Sequence, residues 1–343
     1  VARAECAEPQ LLIIDETTTA LGREGRDVMY RLINKMRRGN RSVLFISHDI
    51  EELMAICDSI IVLRDGHYIG ALNREEMTVG ALRQMMVGRE IADNFYRNDW
   101  NGRLTDEVAL SARDICYGPM KDLTLDLHKG EILGIGGLTD CGMHDFGKIL
   151  FGIIKPDYGT VKLENGAEIV NPKQAVKQKM AYISKNRDTE ALMSAGSVKD
   201  NICLPNLPKL AKGGLISPKA EMDLANRMGE TLSIKMQGPK QYVMYLSGGN
   251  KQKVSIGKWL ASEAEIYIFD CPTRGIDIGV KADIYRILTD LKNQGKAILM
   301  ISEELPELIG MSDRILTFKD GAISGEFLRD PSITEHTLID YMI

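Results

Sequence analysis

Two aspartates each follow a short apolar run, at the place where a buried strand would end. The first run reads LLIIDE, so Asp15 and Glu16 form an acidic pair, whereas the second reads IYIFDC and places Cys271 after Asp270. In nucleotide hydrolysis, such an aspartate holds Mg²⁺, usually through water, and the following glutamate polarises the attacking water. An acidic pair that merely begins a helix, with no catalytic role, would give the same residues, so the motif needs support from other residues.

A histidine follows the next apolar run after the acidic pair. His48 lies in VLFISHD, and the carboxyl ends of neighbouring parallel strands meet at one edge of a sheet. His48 could therefore contact a γ-phosphate near Asp15 and Glu16. A lone histidine is more often a turn residue or a satisfied core residue, but its position relative to the acidic pair favours a catalytic role.

Two glycine-containing stretches are candidates for phosphate contacts. LSGGN brings Ser247, Gly248 and Gly249 to the start of a helix, where a hydroxyl and free backbone N–H groups form an anion site. A plain loop with a serine N-cap has the same sequence. The motif is therefore specific only in combination with others.

The second glycine-containing stretch departs from the phosphate-loop pattern G-x-x-x-x-G-K-[ST]. GLTDCGMH keeps the end glycines Gly137 and Gly142, but Met143 replaces the lysine and His144 replaces the hydroxyl that binds Mg²⁺. The charged phosphate contact and the metal ligand are both missing from this loop. We expect it to keep its tight turn from strand to helix and to bind nucleotide weakly.

An internal repeat relates these motifs. Asp15 and Asp270 lie 255 residues apart (270 − 15), and the same offset aligns further identical residues, which are Ser47 with Ser302, Asp58 with Asp313 and Arg74 with Arg329. Such self-similarity predicts a duplicated domain. Residues 108–343 form the second copy, residues 1–90 match only its last third, and 91–107 form a polar linker. We expect the native start and the first phosphate loop to lie upstream.

Short apolar runs alternate with longer amphipathic segments in both copies. This alternation predicts an α/β domain with a largely parallel sheet, in which Asp15 and Asp270 end central strands. The segments around 108–136 alternate more evenly, as antiparallel strands do, and residues 198–245 have a mostly helical pattern. The expected architecture is a parallel core with an antiparallel β subdomain and a helical subdomain.

The composition limits the classes of partner. A net charge of −5, from 43 basic and 48 acidic side chains, argues against nucleic acid. The six cysteines form no C-x-x-C pair, which favours a reduced, cytoplasmic protein. The longest apolar runs are strand-sized, far short of the roughly 20 residues that cross a bilayer. We therefore expect no membrane span.

The order of these motifs resembles the ATP-binding cassette (ABC) family, P-loop NTPases with a RecA-like core, across essentially the whole chain. GEILGIGGL, LSGGNKQKV and PTRGIDIGVKADIY are similar to the second cassette of tandem ATPase subunits of bacterial ribose, galactose and xylose importers. The resemblance implies ATP and Mg²⁺ as cofactors, and ATP hydrolysis coupled to monosaccharide import. It also implies membrane permease partners, an extracytoplasmic sugar-binding protein acting indirectly, and a peripheral location on the cytoplasmic face of the membrane.

In this family, each ATP lies between the phosphate loop and strand-end aspartate of one cassette and the LSGG loop of the other. The resemblance therefore implies one hydrolytic site and one degenerate site. The hydrolytic site would combine catalytic Glu16 and His48 and metal-binding Asp15 with Ser247, Gly248 and Gly249. The degenerate site would keep Gly137, Gly142 and Asp270, while Met143, His144, Cys271 and Glu303 all depart from the active pattern.

Some features qualify this resemblance. We interpret Cys271 as a small buried side chain, because no histidine pairs with it in sequence as the base of a nucleophile would. The segment YISKNRD, 182–188, occupies the place of the loop that contacts the permease, without the usual glutamine. Because the first phosphate loop is absent, the fragment alone should hydrolyse ATP poorly or not at all.

The alternative functions are a nucleoside or signalling-sugar importer, a soluble cassette protein of translation or DNA repair, and a non-hydrolysing regulatory module.

Overall fold

The computed structural model describes residues 9–15, 23–47, 49–64, 66–87, 96–100, 104–138 and 140–343. The chain forms two compact units, one of residues 1–95 with 277–279 and one of residues 96–276 with 280–343. Each unit has hydrophobic clusters of its own. Among the described residues, every helix is too short or too polar to serve as a membrane span.

The first unit contains a parallel strand pair and an antiparallel hairpin. Its strands are β1 (Leu11–Asp15), β2 (Ser42–Ile46), β3 (Ser59–Arg64) and β4 (His67–Asn73), and its helices are α1 (Arg23–Arg38), α2 (Ile50–Ile56) and α3 (Val79–Val87). β1 pairs with β2 in parallel, and β3 pairs with β4 antiparallel. Met29 and Ile33 stand four residues apart on α1, and this helical spacing buries both against Ile14 of β1.

The second unit contains a six-stranded sheet and a three-stranded antiparallel sheet. Its strands are β5 (Val108–Tyr117), β6 (Met120–His128), β7 (Ile132–Gly137), β8 (Tyr158–Leu163), β9 (Met180–Ile183), β10 (Ala211–Lys212), β11 (Leu215–Ile216), β12 (Ile266–Asp270), β13 (Ala297–Ile301), β14 (Arg314–Lys319) and β15 (Ala322–Leu328). The strand order is β15-β14-β7-β13-β12-β9 in the larger sheet and β6-β5-β8 in the smaller one. The six-stranded sheet is parallel except for β15.

Helices of the second unit cover the sheet and form a separate cluster. They are α4 (Met143–Leu150), α5 (Pro172–Lys177), α6 (Val198–Cys203), α7 (Leu207–Leu210), α8 (Pro218–Thr231), α9 (Gly248–Leu260), α10 (Ile278–Asn293), α11 (Leu305–Met311) and α12 (Glu335–Met342). Helices α6, α8 and α9 share a hydrophobic cluster. The predicted α/β fold, with its parallel core, antiparallel strands and helical subdomain, is confirmed.

The central strands of the second unit show why the apolar runs are continuous. Every residue of β12 (IYIFD) and β13 (AILMI) is buried, because a parallel sheet is covered on both faces. β12 lies between β13 and β9, so Asp270 ends a central strand as predicted. Ser302 follows directly after β13, at the same edge of the sheet.

The two units share strand register and irregularities. Asp15 and Asp270 each end a strand, and each pairs with the last residue of the next strand in parallel register. The two antiparallel hairpins carry a register shift at matched positions, directly after Val62 in the first unit and after Thr317 in the second. A shared bulge at the 255-residue offset supports the interpretation of a duplicated domain, because a bulge bends the strand in a specific way.

An arginine binds the same backbone carbonyls in each unit. Arg74 and Arg329 each donate to two main-chain oxygens at matched positions, which are those of Met54 and Cys57 and those of Ile309 and Ser312. These carbonyls lie near the end of the short helix that precedes β3 and β14, respectively. The arginine therefore satisfies carbonyls that a helix end leaves without partners.

Residues 96–100, in the stretch predicted to be a linker, pack within the second unit. Arg97 forms a buried ion pair with Asp313 at 2.9 Å. Arg329 donates to two main-chain carbonyls of this segment, at 2.6 and 2.9 Å, and its guanidinium lies 4.6 Å from the centre of the Trp100 ring. Arg329 thus makes more contacts than its counterpart Arg74, because this segment covers it.

One apolar face differs sharply between the units. Four strand residues of the first unit are 43–58% exposed, whereas the residues at the matched positions of the second unit are at most 4% exposed. The matched pairs are Leu11 and Ile266, Ile13 and Ile268, Leu44 and Leu299, and Ile46 and Ile301. In the second unit, helix α4 packs on this face at Ile268 and Ile301. The described part of the first unit contains no counterpart of α4.

The different burial of the two matched arginines predicts different costs of substitution. Arg329→Gln should lower the free energy of unfolding of the second unit by about 3 kcal/mol, because it leaves buried main-chain carbonyls with fewer partners. Arg74→Gln, at the exposed matched position, should cost less than about 1 kcal/mol. Hydrogen exchange of the β14 amides measures the first effect, and exchange of the β3 amides measures the second. Equal effects in both units would contradict the expected difference.

Candidate functional site

The loop from the end of β7 to the start of α4 makes a tight turn. A Cβ on Gly137 would lie 2.5 Å from Cys141 Sγ and 2.7 Å from the carbonyl oxygen of Phe318. Gly142 has a φ of 98°, a left-handed conformation that favours glycine. The turn itself therefore requires both glycines, whether or not a nucleotide binds.

The described side chains of this loop, which exclude residue 139, provide little that would hold a phosphate. Met143 takes the position of the lysine and is only 1% exposed, so it is a core residue. Asp140 is exposed in the loop with a φ of 67°. Its carboxylate would repel a phosphate group, whereas the missing lysine would attract one.

His144 lies in the first turn of α4, and its ring joins two carboxylates. Nδ1 lies 2.7 Å from Oδ1 of Asp270, and Nε2 lies 3.2 Å from Oε1 of Glu303. Asp270 is fully buried at the end of β12, and Glu303 follows β13 with a side chain 40% exposed. Gly147 brings the helix this close, since a Cβ there would lie 2.5 Å from Cδ1 of Ile301.

These contacts shift the pKa values of the cluster. Burial acts to lower the pKa of His144, but the hydrogen bonds to Asp270 and Glu303 act the other way and leave the pKa raised. The hydrogen bond from His144 lowers the pKa of Glu303 to about 2. Lys185 Nζ lies 3.4 Å from the same oxygen of Glu303. The site therefore favours a positively charged imidazole between two carboxylates.

Tyr182 holds the second oxygen of the buried aspartate. Its hydroxyl donates to Oδ2 of Asp270 at 2.9 Å, from the neighbouring strand β9. Burial raises the pKa of Tyr182, so the hydroxyl stays protonated and remains a donor. Sequence reasoning placed Tyr182 only in the segment 182–188 that takes the place of the permease loop, and did not predict its hydrogen bond to Asp270.

Cys271 is a buried thiol with an unusual backbone. Its φ is 48°, and burial together with the charge of Asp270 raises the pKa of the thiol. The structure brings a histidine to it that sequence reasoning did not find, because donor atoms of His144, Asp270 and Cys271 lie within 4.8 Å of one another. Since the thiol stays protonated and Nδ1 of His144 contacts Asp270, the pair is not an activated nucleophile.

The LSGGN segment forms the start of helix α9. Ser247 precedes the helix, and its exposed hydroxyl accepts a hydrogen bond from the side-chain amide of Asn250 at 2.8 Å rather than capping the helix. Gly248 leaves little room for a side chain, since a Cβ would lie 3.0 Å from Nη2 of Arg187. An exposed hydroxyl, uncapped N–H groups and a nearby guanidinium together favour a negatively charged ligand.

The first unit contains the residues expected to catalyse hydrolysis. Asp15 is exposed at the carboxyl end of β1. Glu16 and His48 lie outside the described residues, so their assignment stays a prediction.

The serine that precedes this position makes the same hydrogen bond in both units. The N–H of Asp49 donates to Oγ of Ser47 at 3.0 Å, and the N–H of Glu304 donates to Oγ of Ser302 at 3.0 Å. The residue between them is His48 in the first unit and Glu303 in the second.

Comparison with known proteins identifies the family. Residues 120–274 match the family model described as ABC transporter. The ribose import ATP-binding protein RbsA of a Bacillus cereus strain is 36% identical over 337 residues, which cover 98% of this chain and 68% of that relative. The chain belongs to the ABC transporter ATP-binding family.

A further relative of this ABC protein comes from Geobacillus kaustophilus and is named for ribose/galactose/methyl galactoside import. It is 35% identical over 340 residues, which cover 98% of this chain and 67% of the relative. The ABC chain thus spans about two thirds of the length of these relatives. The predicted family and its ATPase class are confirmed.

Solved ATP-binding cassettes share the fold of this ABC chain. The cassette MJ0796, in a dimeric post-hydrolysis state bound to ADP and Pi, has a TM-score of 0.58 and 20% identity over 64% of this chain and 99% of its own. The cassette MJ1267 has a TM-score of 0.58 and 19% identity over 69% of this chain and 99% of its own. At this identity the likeness concerns the fold, and the predicted ABC ATPase fold is confirmed.

Restoring the missing carboxylate at position 271 should harm the second unit. Cys271→Glu would bury a negative charge near Asp270, Glu303 and Glu307, the groups whose charges already raise the pKa of the thiol. Compared with the neutral control Cys271→Gln, we expect a loss of about 2 kcal/mol in the free energy of unfolding at pH 8.

The pH dependence separates charge from size in this comparison. The introduced carboxyl should have a folded-state pKa above its unfolded value, so its cost is present at high pH and disappears as the pH falls. Chemical denaturation of both variants at pH 8 and pH 5 measures this. Equal stability of the two variants at pH 8 would show that position 271 tolerates a charge.

Proposed function

We propose that this ABC chain belongs to the ATP-hydrolysing, energy-coupling subunit of a monosaccharide importer, with ribose as the leading substrate. The observation that carries the proposal is the 36% identity, over nearly the whole chain, to ribose import ATP-binding proteins. Galactoside import is the second candidate, because the Geobacillus relative is named for ribose and galactosides together. The fold by itself would not carry a substrate, since one fold hosts many functions.

Hydrolysis uses residues of both cassettes, with residues 1–90 as the end of the first cassette and 108–343 as the second. Glu16 polarises the attacking water, His48 contacts the γ-phosphate, and Asp15 would hold Mg²⁺. An exposed carboxylate at a strand end is the oxygen donor that Mg²⁺ prefers. The ion, when bound, neutralises charge on the transferred phosphoryl group. The LSGG loop of the second cassette binds the same ATP through Ser247, Gly248 and Gly249.

The pattern of losses supports this division of labour. The second unit keeps its LSGG loop while its own phosphate loop has Met143 and His144, and its strand end has Cys271. A cassette that decayed at random would lose the LSGG loop as readily as the lysine. Selection on the hydrolytic site alone would keep the LSGG loop and would allow substitutions at the phosphate loop and strand end of the second unit.

A groove in the second unit is our candidate for the permease contact. It encloses about 960 Å³ and is lined by Glu190 and by Ser184, which belongs to the segment that takes the place of the permease loop. Its floor includes Phe151 and Trp259, and its rim includes Lys173. An apolar floor with a basic rim suits an amphipathic segment with acidic ends. The permease would present such a segment at the cytoplasmic face of the membrane, while an extracytoplasmic binding protein delivers the sugar.

The decisive experiment uses the full-length protein, with its first phosphate loop, reconstituted with the permease. Glu16→Gln should abolish steady-state ATPase activity and leave ATP bound, because the amide keeps the shape and loses the charge. Ser247→Arg should reduce activity to a similar degree, because a bulky cation would block the loop that faces the same ATP. Cys271→Ala should keep activity within about twofold of the parent, because its own site does not hydrolyse.

Uptake of labelled ribose, galactose and nucleoside in the same system tests the substrate. Ribose uptake that depends on Glu16 supports the proposal, and uptake of nucleoside alone would replace it. Full ATPase activity in Ser247→Arg, or a large loss in Cys271→Ala, would mean that the hydrolytic site uses the other halves of the cassettes.

A further inference from the structure

We propose that the side chain of His144 occupies the place of the divalent cation in the second cassette's own site, so that this site forms without Mg²⁺. The inference rests on the proposed assignment of this site as the degenerate one, and it concerns the metal rather than the imported sugar. Mg²⁺ requires several oxygen ligands in near-octahedral geometry. The residues present do not fit such an ion.

Both oxygens of the strand-end aspartate already have partners within the protein. Oδ1 of Asp270 lies 2.7 Å from Nδ1 of His144, and Oδ2 accepts from the hydroxyl of Tyr182 at 2.9 Å. Because Asp270 is fully buried, a hydrated ion would have to displace one of these groups to reach it. Mg²⁺ gives up its water reluctantly, so this exchange is unfavourable.

The other nitrogen of the ring binds the second carboxylate. Nε2 of His144 lies 3.2 Å from Oε1 of Glu303, and Nζ of Lys185 lies 3.4 Å from the same oxygen. One imidazole thus links the end of β12 to the turn after β13. A bound cation would provide the same electrostatic link between negative groups.

The packing of α4 keeps the ring in this place. Met143 is 1% exposed and Phe146 is fully buried, so the residues around His144 anchor the helix in the core. Gly147 brings the helix into contact with Ile301 of β13. A displaced imidazole would leave two carboxylates close together without the positive charge that lies between them, although Lys185 and Arg274 still act on Glu303.

The second cassette's own site is therefore expected to accept one class of ligand, a nucleotide without a metal ion. Since Met143 and His144 replace the lysine and the metal-binding hydroxyl of a phosphate loop, and Asp140 is exposed within the loop, a nucleotide bound here would bind without its metal. The strand end, the helix and the turn after β13 would keep their positions whether or not that nucleotide is present.

The same cluster could instead bind a softer metal through His144, Asp270 and Cys271, whose donor atoms lie within 4.8 Å of one another. The observed hydrogen bond of Nδ1 to Asp270 and the buried thiol argue against it, because both would have to lose a proton first.

The test is a Mn²⁺ titration followed by electron paramagnetic resonance, without nucleotide, on the whole 343-residue chain. All proteins carry Asp15→Asn, which removes the metal ligand expected in the first cassette. In this background, His144→Ala should gain a Mn²⁺ site at least about tenfold tighter than any in the parent, because it exposes two carboxylates. His336→Ala, which removes an exposed histidine elsewhere in the second unit, should match the parent. If His144→Ala does not fold, His144→Ser replaces it.

Every outcome decides the proposal. A Mn²⁺ site that appears in His144→Ala and disappears when Asp270→Asn is added would support it. Equal Mn²⁺ binding in the parent and His144→Ala, or no binding in either, would overturn it. Zn²⁺ binding by the parent that is lost in Cys271→Ala would overturn it in favour of the softer metal. Because ATPase activity and transport play no part, failure of the sugar-import proposal would leave this result intact.

Discussion

The carboxylate of Asp270 is fully buried, so its charge has to be balanced inside the protein. The neutral hydroxyl of Tyr182 donates a hydrogen bond to it from β9, and the imidazole of His144 supplies the balancing charge from the first turn of α4. The helix can bring His144 there only because Gly147 lets it lie directly on the sheet. The same imidazole then fixes Glu303 in the turn after β13. The geometry of the whole strand edge therefore follows from neutralising one buried charge.

Comparison of the two units distinguishes features that depend on nearby residues in the chain from features that depend on other elements packed against them. Strand register, the bulge in the hairpin and the hydrogen bond to the serine after the second strand of each parallel pair are the same in both units, since they depend on residues close together in the chain. Burial is different, because it depends on which other elements are present to cover a face. Ile13 is 58% exposed and Ile268 is fully buried, although both occupy the same place in a strand.

The sequence alone predicted much of this fold, for the same reason. Apolar runs and the 255-residue offset located Asp15 and Asp270 at strand ends, and the two glycines located the turn before α4. Sequence reasoning did not predict that His144 would bridge carboxylates 126 and 159 residues away, because periodicity reports only neighbours in the chain. Nor did it predict that residues 96–100 would pack within the second unit, since their polar composition resembles a linker. Arg97 is buried there because Asp313, Asp99 and the main-chain oxygen of Met311 all accept from its guanidinium.

The close packing of Gly137 has a consequence for how such proteins evolve. A side chain at this position would collide with the carbonyl oxygen of Phe318, so the glycine is needed for folding even where no phosphate is bound. Mutations that abolish ligand binding can therefore accumulate at neighbouring positions, whereas selection for folding continues to remove substitutions of the glycine. A loop of this kind keeps the glycines of its motif after it has lost the residues that bind phosphate and metal. In genome surveys, the residues that follow the second glycine are for this reason a better guide to activity than the glycines themselves.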